Sequence, residues 1–290
     1  MTTLTPYSNS HQAPQHLTGL AAWWATLSAM TKKELLIMLR YPVELVASFG
    51  QVFLIVIILT LAGLMFSRSG TQASAENSAT AGLVVYGFIL FIFVSDTMWT
   101  IGYNVRREQK QGTLEQLYLS PASKFNSLLS RVTVTLVWTG TLCIASALLM
   151  SAMIGKLPFA NLPLGLYFLI LSLFGTFGVG FAFAAITLRV REAGQTLANF
   201  FQFTFMVLCA PFFPFSALPG WMQNIARFIP LSYSVDAFRT TLMGTSPELA
   251  PLQVEFIIVT VFGLVMPFLG YWMYRREEDA ARAKGSLSEY

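Results

Sequence analysis

The stretch "NVRREQKQGTLEQLYLSP", Asn104 to Pro121, decides how this chain is read. It is charged, helix-capable and ends in proline, yet it lies between two long apolar segments. Around it the composition is strongly hydrophobic. Of 290 residues, 55% are hydrophobic and 11% charged, with a mean hydropathy of +0.61. Soluble domains carry about 25% charged residues, so this composition points to an integral membrane protein. The stretch then becomes a polar helix tucked under a membrane span.

Working outward, a span needs about 20 mostly apolar residues. Stretches near 43–66, 80–104, 128–154, 164–188, 197–214 and 256–274 meet or approach that length. Runs this long favour helices over buried strands. The expected fold is therefore an all-α integral membrane fold with six transmembrane helices. A polar tail at 1–20 reads as disordered, no cleavable signal peptide is expected, and 277–290 reads as a second tail.

Charge sets the orientation. With both termini cytoplasmic, only Arg68, Lys156, Arg227 and Arg239 of the 18 lysines and arginines fall on the outer side. The positive-inside rule then places Asn104–Pro121 in the cytoplasm. The net charge of +4 sits beside the spans, which favours lipid headgroups over nucleic acid.

Catalytic chemistry finds little support. His11 and His16 both lie in the N-terminal tail, and Cys143 and Cys209 lie in separate apolar runs. No metal spacing or disulfide framework follows from them. No P-loop pattern surrounds any lysine. The chain is expected to be no enzyme and to bind no cofactor or metal itself.

Before the first span, "AAWWATLSAMTKKELLIMLRYP" places Trp24, Leu27, Leu35 and Met38 on one helical face and Lys32 and Lys33 on another. An interfacial helix over 21–41 is expected, with a long first span as the alternative. In the fourth span, "FGTFGVGFAFAA" pairs Gly178 with Ala182 and Gly180 with Ala184, a spacing that lets helix backbones approach closely. Between the fifth and sixth spans, "APFFPFSALPGWMQNIARFIPLSYSVDAFRTTLMG" is too apolar for an open loop, and its four prolines forbid one continuous helix. Short helices dipping into the outer leaflet fit that pattern. Pro219 and Trp221 are assigned to this re-entrant segment, and within it Asp236 and Arg239 can pair at i, i+3.

Gly112-Thr113-Leu114-Glu115 reads as a flexible joint followed by a helix start, with Thr113 as N-cap. An ordinary solvated loop is the bland alternative. However, "REQKQGTLEQLYLSPASKFNSLLSR" resembles the cytoplasmic signature of ABC-2-type permeases, the membrane subunits of type V ABC exporters. The resembling residues are Arg107-Glu108, Gly112 to Glu115 and Ser120-Pro121. Leu218-Pro219-Gly220-Trp221, Pro230-Leu231-Ser232-Tyr233 and Asp236-Ala237-Phe238-Arg239 look like that family's region before its last span. The resemblance covers about Trp23 to Arg276, within an expected transmembrane domain at 21–276.

That resemblance implies a homodimer, or a pair with a related permease, docked on two separate ATPase subunits that carry ATP and magnesium. Arg107, Glu108, Gly112, Thr113, Leu114, Glu115 and Tyr118 would form the coupling helix. Arg189, Arg191 and Glu192 would make a second ATPase contact. A bacterial inner-membrane location follows from the same likeness.

The transport path is read from two places. Asp96, in "FIFVSDTMW", is either held by Ser95, Thr97 or a neighbouring helix, or contacts substrate. Phe200, Phe203 and Met206 fall near one face of the fifth span, which borders the central cavity in the family. An aromatic, nearly charge-free path suits an amphipathic, lipid-like or drug-like cargo, and polysaccharide or glycolipid export stays open. A secondary transporter without an ATPase is the competing class. It would be expected to show more intramembrane charges or an inverted repeat.

Overall fold

The computed structural model describes residues 20–40, 82–98, 124–154, 159–190 and 194–283, with further helical positions between 43 and 61. Among them no strand occurs. The elements are α1 (Leu20–Arg40), α2 (Gly82–Met98), α3 (Lys124–Ile154), α4 (Leu162–Val190), α5 (Gly194–Leu208), α6 (Gly220–Ala226), α7 (Pro230–Met243) and α8 (Leu252–Ala283). The stretch Asn104–Pro121 lies outside the described residues, as do Arg191 and Glu192.

Two helices, over Leu162–Thr187 and Leu252–Ala280, are long and apolar enough to cross a membrane. Gly82–Met98, Val132–Ala145 and Asn199–Leu208 are shorter apolar helices. The two long ones pack along each other as α4 and α8, the most extensive helix contact among the described residues. Small residues make that contact close. A methyl group added at Gly178 would collide with the Met266 carbonyl, and one at Gly270 with the Gly178 carbonyl. A Cβ at Gly263 would stand 2.7 Å from the Leu171 carbonyl oxygen. Of the small residues expected here, Gly178 sits at this closest approach and Ala184 is fully buried. Toward one end of the seam, Phe181 packs edge-on against Phe177 at 4.7 Å and Tyr271 at 5.6 Å.

The other side of α8 carries Val261, Leu264, Phe268 and Trp272, all exposed. An apolar face with no protein against it suits lipid. Its last turns bring Arg275 over Tyr271 and Arg276 over Trp272, each at 5.6 Å. Such pairs keep the charged head at an interface while the stem covers apolar surface. The helix runs on to Ala283, well into the segment expected as a tail. At the other end of the chain, α1 packs on α3 and leaves Trp24, Leu36 and Leu39 exposed.

The fifth apolar stretch ends as a helix earlier than its hydrophobicity suggests. It reads as continuous to Pro214, but α5 stops at Leu208. Ala210 takes the left-handed conformation, with φ 46°, and Pro211 supplies no N–H to continue the ladder. The turn then meets α2, where a Cβ at Gly87 would collide with the Pro211 carbonyl. Phe212 packs between Phe88 and Phe91 of α2, at 6.0 and 5.4 Å.

From there the chain makes a hairpin. Pro219 caps α6, and Pro230 opens α7 at the first helical position, where its missing N–H costs nothing. Gly244 ends α7 with φ 71°, the left-handed cap that glycine adopts without strain. α7 runs back along α4. Its far end lies by Gly165, whose added Cβ would stand 2.6 Å from a Leu242 methyl, and Ala160 N–H donates to the Leu242 carbonyl at 2.8 Å. Its near end, at Pro230 and Leu231, shares a cavity with Thr176. Gly165 and Thr176 are eleven residues apart, about 16 Å at the helical rise. The bend between α6 and α7 therefore reaches the middle of the Leu162–Thr187 helix.

Candidate functional site

Two features of this hairpin carry chemistry: a buried ionic cluster on α7, and an apolar cavity beneath the bend.

The cluster centres on Asp236 and Arg239, both 2% exposed. One turn of helix brings Arg239 Nη2 to 3.0 Å from Asp236 Oδ1. The other Asp236 oxygen accepts the backbone N–H groups of Glu248 at 2.7 Å and Leu249 at 2.9 Å. Arg239 Nη1 donates to the Phe213 carbonyl at 3.1 Å and the Ala210 carbonyl at 3.5 Å. Glu248 adds a longer contact to Arg239 at 3.5 Å and accepts the Ser216 N–H at 2.9 Å. A buried guanidinium is tolerable when its donors are spread over a carboxylate and carbonyls in this way.

Glu255, in the first turn of α8, was not singled out from the sequence. It is fully buried, with Asp236 and Arg239 as its charged neighbours. Neither of its oxygens makes a hydrogen bond of acceptable geometry. Its signal lay in "LAPLQVEFI", a single acid at the head of an apolar run. This arrangement has no nucleophile with an adjacent base, and the described residues contain no group of metal-ligating side chains. Its work is to hold backbone.

The cavity has a volume of about 220 Å³. Thr176 and Val179 of α4, Phe262 and Met266 of α8, Met98 of α2 and Phe205 of α5 form its walls. Residues 228–231 of the bend also line it, and it is open on one side. Thr176 brings no free donor, because its hydroxyl bonds to the Ser172 carbonyl at 2.6 Å. Met98 and Phe205 also line a second, smaller cavity with Phe91, Val94, Ser95, Phe183 and Gln202.

The other residues singled out from the sequence are placed separately. Asp96 accepts a hydrogen bond from Thr139 of α3 at 2.5 Å, while Thr97 bonds the Phe93 carbonyl instead. Phe200 and Phe203 are exposed and Met206 is half-buried. Their neighbours Phe201 and Phe205 turn inward and pack against the core. Trp221 is exposed on α6. Asp96 and the Phe200–Phe203 face are not gathered with Asp236 and Arg239 into one site. Arg189 falls in the last turn of α4.

Comparison with known proteins adds the family context. The family model described as "ABC-2 family transporter protein" matches residues 67–272. The "Probable doxorubicin resistance ABC transporter permease protein DrrC" of Mycobacterium tuberculosis is 28% identical over 160 residues, covering 52% of this chain and 55% of that protein. The "Probable multidrug ABC transporter permease YbhR" of Escherichia coli is 25% identical over 154 residues, covering 53% of this chain and 41% of that one. The chain thus spans about half the length of the curated relatives it matches.

Proposed function

This chain belongs to the ABC-2 family of transporter membrane proteins, and from that premise we propose that it is the permease subunit of an ATP-driven exporter. It moves an amphipathic, lipid-like or drug-like cargo outward, and a separate ATPase supplies the energy. The carrying observation is the family match over 67–272, which takes in both the polar stretch Asn104–Pro121 and the α6–α7 hairpin. Two drug-resistance permeases among its relatives favour amphipathic cargo over polysaccharide.

In this reading six spans and an N-terminal interfacial helix lie in a bacterial inner membrane with both termini cytoplasmic. Two copies pair and dock two ATPase subunits. Arg107, Glu108, Gly112 to Glu115 and Tyr118 rest against the ATPase, with Arg189, Arg191 and Glu192 as a second contact. Phe200 and Phe203 face the path between the two copies. Asp236 and Arg239 keep the hairpin folded at membrane depth, where its broken backbone must be satisfied by protein.

The experiment is ATP-driven accumulation of a fluorescent amphipathic dye in inverted membrane vesicles carrying this chain and its ATPase. Glu115→Lys reverses one charge on a water-exposed helix and leaves the spans untouched. Accumulation is expected to need both subunits and ATP, and to fall at least tenfold in Glu115→Lys with unchanged membrane insertion. Accumulation driven by a proton gradient without the ATPase would assign the chain to secondary transport instead.

A further inference from the structure

The bend between α6 and α7 carries a charge where a membrane protein can rarely leave one exposed. Residues 228–231 border the cavity beside Thr176 and Val179, midway along the apolar helix Leu162–Thr187. Arg227 immediately precedes them and is exposed. No described side chain forms an ion pair with it. A guanidinium at that depth is costly unless it faces a water-filled cavity or a partner of opposite charge. The contrast with Arg239 is instructive, since Arg239, further along α7, has a carboxylate and two carbonyls.

Next to this unpaired cation lies a cavity whose lining is almost wholly apolar. Its one hydroxyl, on Thr176, is already spent on its own helix. Pro230 has no N–H, and the Ile229 N–H bonds to the Ala226 carbonyl. An enclosed apolar cavity of about 150 Å³ takes up benzene, and this open one, at about 220 Å³, has room for a larger apolar group. Two methionines and three phenylalanines line it, side chains that adapt to varied apolar shapes.

We propose that each protomer holds its own binding site for an anionic amphiphile, with the end of the apolar chain in this cavity and the anionic head on Arg227. The inference rests on the exporter reading for its biological sense and narrows that reading's cargo to amphiphiles carrying negative charge. The site lies inside one protomer, separate from the Phe200–Phe203 face. Exposed Phe228 stands at the mouth between the two halves of the ligand.

The test uses the full chain in neutral-lipid nanodiscs without an ATPase, and photo-crosslinking mapped by mass spectrometry. The probe is hexadecyl phosphate with a diazirine at the chain terminus. Matched probes carry a neutral hydroxyl or a trimethylammonium head. Crosslinks are expected on Met98, Phe205 or Met266, about tenfold more strongly with the phosphate than with either other head. Arg227→Gln should abolish that preference and Arg227→Lys should keep most of it. Met266→Trp should reduce labelling by all three probes. Inorganic phosphate at the probe's concentration should not compete, whereas unlabelled hexadecyl phosphate should.

Equal labelling by the three heads, competition by inorganic phosphate, or crosslinks confined to exposed Leu264 and Phe268 would overturn the proposal. Arg227 is exposed, so its substitution tests recognition rather than folding. Binding without ATP-driven export would sink the exporter reading and leave the site standing. Export with no preference for the phosphate head would do the reverse.

Discussion

The α4–α8 seam and the α6–α7 hairpin lie side by side and are held by opposite means. The seam's closeness comes from glycines that let one backbone touch another, with one side-chain hydrogen bond across it, between Tyr167 and Thr260 at 2.8 Å. The α7 arm of the hairpin is buried too, yet it is held by the Asp236–Arg239 pair, whose members also bind four backbone groups. Within a membrane, apolar side chains gain nothing by leaving lipid for protein, so association depends on packing and internal hydrogen bonds. A long helix leaves few backbone groups to spare, even with Pro267 inside α8, and can be joined mainly by fit. A segment broken by Pro211, Pro214, Pro219 and Pro230 leaves donors and acceptors unpaired, and charged side chains must take them up.

The sharpest way to break this contrast is Asp236→Ala. It leaves Arg239 buried without its carboxylate and frees the Glu248 and Leu249 amides. Removing one member of a buried pair costs about 3–5 kcal/mol. A large fall in the thermal midpoint of the detergent-purified chain is expected, and Asp236→Ala with Arg239→Met should recover part of it. Full additivity of the two changes would mean that the ion pair is incidental.

Gly178→Val should cost less, about 1–3 kcal/mol, because overpacking can be relieved by a small helix shift. The check is the same thermal midpoint, together with a cysteine crosslink across the seam that the shift should weaken. An unchanged crosslink with an unchanged midpoint would show that α4 and α8 do not meet as closely as their glycines allow.

Glu255→Gln is the smallest of the three. The amide keeps the side chain's volume and replaces a buried carboxyl that makes no hydrogen bond of acceptable geometry. Its effect should stay within about 1 kcal/mol, the size of one net hydrogen bond, and tend toward a higher midpoint. A loss as large as that of Asp236→Ala would make Glu255 a working member of the cluster beside Asp236, Arg239 and Glu248.

The contrast also explains what could be read in advance. Only the α4 side of the seam was legible, through Gly178 and its small partner four residues on, whereas Gly263 and Gly270 of α8 carry no such spacing. The breaks at Pro219 and Pro230 were legible because proline's geometry is local. Asp236 and Arg239 stand one turn apart, so their pairing needed no knowledge of the fold. Their remaining partners did, since the Glu248 and Leu249 amides and the Ala210 and Phe213 carbonyls are backbone groups that any residue supplies. Glu255 joins the cluster only through the way α8 meets α7. Arg227 and Arg239 were assigned to the outer side by counting charge between spans, and such a count has no measure of depth. The end of α5 at Leu208 was hidden for another reason, because Ala210 is left-handed without being glycine.

Arg239 has a mechanical consequence. Through the Ala210 and Phe213 carbonyls it grips the chain just beyond α5, and through Asp236 it is joined to the amides of Glu248 and Leu249, just before α8. Neither linker has much slack, since Pro211, Pro214 and Pro219 stiffen the first and Pro251 the second. The pair therefore acts as a strut between two helix ends. Torque applied at the Gly194 end of α5 is delivered to the head of α8 rather than absorbed in a loop.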